Sequence, residues 1–138
     1  VIDFHPWRAL RERPTVQLHM IDLPDGVLGA TDGEHIWIER RQRQAQRRST
    51  LAHELEHLDR GHTGCQPAAI ELEVEAAAAR KLIPLTALAE AIVWASCEDE
   101  LAQDLWVDRA MVRVRLSTLT DEERVYIEDV IARREAAL

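Results

Sequence analysis

The chain has 138 residues, 46% hydrophobic and 30% charged, with a formal net charge of −8. That length suits one domain with a small appendage, not two full cores, and the apolar fraction excludes wholesale disorder. No run approaches the ~18 to 20 apolar residues of a membrane span, and no signal-peptide h-region is seen near the N-terminus.

Residues 6–12 read as a short helix that Pro6 opens and Pro14 stops. The alternation Val16, Leu18, Met20 predicts a strand, and Asp22-Leu-Pro-Asp-Gly26 a turn. Residues 27–31, the Asp32-Gly33 turn and residues 35–39 read as a hairpin, so the first half should hold a small antiparallel sheet. From about Gln42 the period becomes helical. Leu51, Leu55 and Leu58 share a face, and Gly61 ends that helix. A second helix is expected over 68–83, between Pro67 and Pro84. Further helices follow over 85–94, 99–105, 109–119 and 121–137. Asp108 and Thr120 stand at N-cap positions, and Glu123 completes a capping box with Thr120.

Charge is uneven. Residues 1–70 carry 9 basic and 10 acidic side chains, whereas residues 71–138 carry 8 and 15. An acidic second half argues against a nucleic-acid footprint there. The basic run Arg40, Arg41, Arg43, Arg47 and Arg48 reads as a solvated loop and helix start, with an acidic docking partner as the lesser alternative. Cys65 and Cys97 are too few for a disulfide scaffold and fit a reducing cytoplasm.

The informative segment is His53-Glu54-Leu55-Glu56-His57. Residues four apart lie on one helical face, so two imidazoles there can reach one Zn²⁺. Glu54 flanks that face and can reach a water at the metal without ligating it. A catalytic zinc needs a third protein ligand, for which Glu71, Glu73, Glu75, Cys65 and His62 are candidates. Glu71 and Glu75 share one face, so one could bind the metal while the other accepts the free N–H of a ligand imidazole. His62 is expected to cap the helix end. Glu56 and Asp59 place charge where such helices are usually apolar. They favour an alternative, a metal-stabilised regulatory module that binds without cutting.

The run Thr50-Leu-Ala-His-Glu-Leu-x-His-Leu with Gly61-His62, then Glu71-x-x-x-Glu75-x-x-Ala78-x-x-x-Leu82-Ile83-Pro84, resembles the ImmA/IrrE family of zinc metallo-endopeptidases. The resemblance covers about residues 29–119. Matching back from Pro84 puts the family's ligand glutamate at Glu71 and its usual Asn or Asp at Glu75. The family's Phe falls on Ala77, a departure. The resemblance implies His53, His57 and Glu71 on zinc, Glu54 as the general base, and a transcriptional repressor as the protein substrate.

Residues 101–116 have a helix-turn-helix cadence, with Arg109, Arg113 and Arg115 as candidate DNA contacts. Yet residues 98–138 carry 6 basic and 11 acidic side chains, which favours packing or partner docking over DNA. Trp94 and Trp106 are expected as core anchors. The expected architecture is α+β and zincin-like: a core over 1–84 and a helical extension over 85–138. An extended substrate would add to the sheet edge through the 27–39 hairpin. The only tyrosine, Tyr126, lies far along the chain, so no second oxyanion donor is assigned.

Overall fold

The computed structural model describes residues 4–138 as seven helices and a three-stranded sheet, an α+β fold. Helix α1 (Pro6–Arg11) precedes strands β1 (Gln17–Ile21), β2 (Gly29–Thr31) and β3 (His35–Glu39). Then come α2 (Gln44–Asp59), α3 (Ala68–Leu82), α4 (Leu85–Trp94), α5 (Glu98–Leu105), α6 (Arg109–Ser117) and α7 (Asp121–Ala136). The Gly and Pro punctuation therefore marks most boundaries to within two residues.

The sheet departs from the expected antiparallel arrangement. Its order is β1-β3-β2, with β2 antiparallel to β3 as the hairpin predicts, but β1 parallel to β3. Residues 22–28 are long enough to carry the chain past one strand position, and β3 then fills the gap. β3 holds the sheet's most deeply buried pair, Ile36 and Ile38, so burial favours it at the centre. Those two residues pack with Leu51 and Leu55 of α2, and with Leu18 and Met20 of β1. The opposite face carries His19, His35 and Trp37, stacked with ring centroids 5.2 to 5.8 Å apart.

Helix α2 is shared between two cores. Leu51 and Leu55 face the sheet, while Ala52 joins Ala78, Ala79 and Leu82 of α3 in a cluster that runs through α4 to α7. Small residues at that second face let the two helix backbones come close. Glu56 does not lie on the solvent side. It is buried, with Lys81 Nζ 2.6 Å and Arg60 Nε 3.1 Å from its oxygens, and Asp59 pairs with Arg13 at 2.6 Å. Both charges are therefore structural.

Two expected anchors are exposed instead. Trp94 is 62% and Trp106 52% accessible, because each sits at the C-terminal end of a short helix beyond the reach of its core. Leu88, Ala89, Leu101, Ala102 and Val107 fill the interior there. Trp106 takes a left-handed φ of 56°, and the Arg48 guanidinium lies 5.4 Å from its ring and donates to its carbonyl at 3.0 Å. Arg48 is thus packed against the extension rather than solvated. Arg109 and Arg113 pair with Glu98, and Arg115 is buried with Nε donating to Ile83 O at 2.8 Å. Both cysteines are free and exposed, and no helix is long and apolar enough to cross a membrane among the described residues.

Asp108 and Thr120 cap α6 and α7 as expected, and Glu123 closes its capping box. Burial opposes ionisation of Glu123, but Arg115, the Thr120 N–H and Arg80 hold its carboxyl down to about 2. The folded value lies below the ordinary ~4.3, so this clamp stabilises fully above pH ~4.5 and is lost as pH falls towards 2. Glu123→Gln should lower the melting temperature at pH 6, and the gap from wild type should close between pH 4.5 and 2. Thermal melts across that window check it; a gap that persists at pH 2 would contradict the clamp.

Candidate metal centre

His53 and His57 stand one turn apart on the third side of α2, away from both cores. Glu71 opens the first turn of α3, where the Gln66 N–H donates to its Oε1 at 3.3 Å. Its Oε2 lies 3.0 Å from His57 Nε2 and 3.3 Å from His53 Nε2, and the two nitrogens are 3.2 Å apart. A tetrahedral ion with bonds of ~2.0 to 2.1 Å needs ligand atoms ~3.3 Å apart. Three atoms that would be acceptors towards a cation thus close a triangle of nearly that size. Hydrogen bonding alone fits poorly, because two imidazole nitrogens face each other as well as the carboxylate. The donor set suits a metal ion, and the charges agree. Burial and the neighbouring His57 lower the pKa of His53; burial opposes but the Gln66 N–H and His57 hold Glu71 below its ordinary value.

The end of α2 supplies a partner for the second nitrogen of His57. Gly61 takes a φ of 76°, its N–H bonds to Leu58 O, and the His62 N–H bonds back to His57 O, a Schellman closure. That closure sets His62 Nδ1 2.9 Å from His57 Nδ1. With Nε2 of His57 turned to a metal, Nδ1 carries the proton and donates to His62, which fixes the tautomer and ring orientation. The sequence reading assigns this imidazole N–H to Glu75 and a capping role to His62. In the structure Glu75, one turn past Glu71, makes no hydrogen bond among the described residues and lines the groove beside His53. The Gly61-His62 pair directly after the helix is the signal that could have revealed His62.

Glu54 is 6% exposed and has no hydrogen-bond partner among the described residues. Burial, and secondarily the charge of Glu71, push its carboxyl up to about 7. It lies under β2, where Gly29 has no side chain to displace it. A Cβ on Gly29 would stand 2.6 Å from Thr50 Cγ2 and 3.1 Å from Glu54 Oε1. Two pockets meet at Gly29, His53 and Glu54 and run along β2. One, about 230 Å³, contains the triad with Cys65 at its rim; the other, about 380 Å³, is walled by Val27, Leu28, Glu75, Asp108 and Met111. The helical extension therefore contributes to the groove through the start of α6, where the Asp108 N–H donates to Ser49 Oγ at 3.3 Å. Glu73 is turned to solvent near Arg60, and Tyr126 packs in the helical cluster away from the groove.

Metal titration separates these roles. Glu71→Ala should sharply reduce zinc affinity, His62→Phe should reduce it ~10 to 100-fold, and Glu73→Ala should leave it unchanged. Loss of metal in Glu73→Ala but not Glu71→Ala would break the assignment. A second test concerns the close approach of β2. Gly29→Ala should cost ~1 to 3 kcal/mol in denaturant unfolding, as overpacking does. Thr50→Ser, which removes Cγ2 but keeps the hydroxyl that donates to Gln42 Oε1, should recover part of that loss. No recovery would show that Thr50 does not set the spacing.

Among known families, the IrrE N-terminal-like domain of Peptidase_M78 matches residues 12–117. Neither a curated protein nor a solved structure matches the chain. The matched segment carries α2, α3 and the groove between them, and the chain belongs to the Peptidase_M78 metallopeptidase family.

Proposed function

We propose that this protein is a zinc-dependent endopeptidase that cuts an extended segment of a regulatory protein, such as a transcriptional repressor. In this reading His53 Nε2, His57 Nε2 and Glu71 Oε2 hold the zinc ion. Zinc held there supplies Lewis acidity, which polarises a peptide carbonyl and brings the pKa of water towards ~7. His62 keeps the His57 ring in place through Nδ1. Glu54 accepts the proton of the attacking water at its carboxylate and passes it to the leaving nitrogen. The observation that carries this reading is the carboxyl of Glu54. It is buried and unpartnered, beside three converging ligand atoms. The other two buried carboxylates among the described residues, Glu39 and Glu56, are both paired. A general base is the group for which isolation is useful.

The substrate strand has a place to lie. The order β1-β3-β2 leaves one edge of β2 unpaired among the described residues, and β2 lines both the pocket that contains the triad and the one beside it. An extended peptide can add to that edge as a fourth strand, and Gly29 keeps β2 close against Thr50 and Glu54 so that the added strand runs near that carboxylate. We read residues 1–84 as the peptidase core and 85–138 as an extension packed on it. The repressor as substrate rests on the family resemblance. The alternative of a non-cleaving module loses its main ground, because Glu56 and Asp59 are ion-paired on other sides of α2.

Glu54→Gln keeps the side-chain volume and removes the proton acceptor. Fold and zinc stoichiometry should survive, while hydrolysis of a candidate repressor should fall ~10²- to 10⁴-fold. Gel assays with and without chelator read the cleavage. Undiminished inactivation of the partner by Glu54→Gln would overturn the peptidase reading.

A further inference from the structure

The larger pocket contains two carboxylates that the proposed hydrolysis does not use. Glu75 enters it from α3 and Asp108 from the start of α6. Glu75 has no hydrogen bond or salt bridge among the described residues. Asp108 accepts the Met111 N–H through Oδ1 at 2.8 Å and has no cation either. Burial raises both carboxyls above their ordinary range, and Asp108 adds its repulsion to Glu75. Partly burying like charges together without a counterion is costly, and the fold pairs such carboxylates elsewhere. Glu56 has Lys81 and Arg60, Glu39 has Arg41, and Glu123 has Arg115.

Two further observations indicate an incoming ligand. The pair lines a cavity of about 380 Å³, and Glu54, 6% exposed and without a hydrogen-bond partner, lines the same cavity. Apolar side chains line it as well: Val27 and Leu28 are 38% and 49% exposed, and Met111 is buried. Apolar side chains beside a pair of carboxylates match a side chain with a long aliphatic stem and a cationic head. The cavity shares Gly29, His53 and Glu54 with the pocket that contains the triad, so such a side chain would belong to a residue next to the bond being cut.

We propose that Glu75 and Asp108 form a specificity subsite that takes an arginine or lysine side chain of the protein substrate. This rests on the peptidase reading for its meaning, but its test is a binding measurement. The zinc-loaded chain is titrated calorimetrically with acetyl-Ala-Ala-X-Ala-Ala-amide, where X is arginine, lysine, citrulline or norleucine. Citrulline keeps the shape of arginine and lacks its charge. Arginine and lysine peptides should bind at least ~10-fold more tightly than the neutral pair, with a preference that falls as salt rises. The double variant Glu75→Gln, Asp108→Asn should lose that preference at a melting temperature no lower than wild type, since Asn also caps a helix and the repulsion is removed. Glu73→Gln, an exposed carboxylate on the same helix, should keep it. Equal affinities for arginine and citrulline, undetectable binding included, would overturn the subsite, as would a preference that survives the double variant. Charge preference without cleavage of any peptide would leave the subsite standing and count against the peptidase. Cleavage without charge preference would do the reverse.

Discussion

Two imidazole nitrogens and a carboxylate oxygen are held within 3.3 Å of one another and aimed at a single point. Without a cation between them, part of that arrangement is repulsive or unsatisfied, so the rest of the fold has to enforce it. The enforcement comes from packing. α2 gives Leu51 and Leu55 to the sheet and Ala52 to the helical cluster, and both contacts are fully or nearly fully buried. With two sides of the helix committed, the rotation of His53 and His57 is set. Ala78 and Ala79 bring α3 close, and Pro67 starts it where Glu71 falls opposite the histidines. Cluster and site are consequences of the same helix pair.

The same logic governs the neighbours. Gly29 lets β2 descend onto Glu54, which removes that carboxylate from water and raises its proton affinity. Gly61 permits the closure that swings His62 behind His57. The extension is tied to α2 through Ser49 and Asp108 and through Arg48 on Trp106, so its first turns wall the groove. A segment with a DNA-binding cadence thus serves as part of a cleft, with Arg109 and Arg113 matched by Glu98.

What was legible in the sequence follows from range. Helix ends were readable because Pro6, Gly61, Pro67, Pro84, Asp108 and Thr120 act on their own few residues. The histidine pair and Glu71 were readable from helical spacing and family resemblance. The parallel pairing of β1 was not, since it depends on which strand wins the buried centre. Nor was the exposure of Trp94 and Trp106, which depends on how far each helix end projects beyond its core. Glu56 looked like a misplaced charge because only its nearer partner Arg60 stands at the end of the same helix, while Lys81, which closes the pair from α3, lies 25 residues away. Glu75 shares a helical face with Glu71, but a shared face says nothing about the 5 to 6 Å of rise that carries it from the imidazoles towards Asp108.

The central claim is that His53, His57 and Glu71 together hold a metal. X-ray absorption at the zinc edge of the purified protein tests it most directly. The account predicts one zinc per chain, two imidazole nitrogens, and oxygen ligands at ~2.0 to 2.2 Å, with no sulfur. A zinc–sulfur distance of ~2.3 Å would place Cys65 on the metal instead, and substoichiometric zinc without imidazole scattering would remove the metal centre altogether.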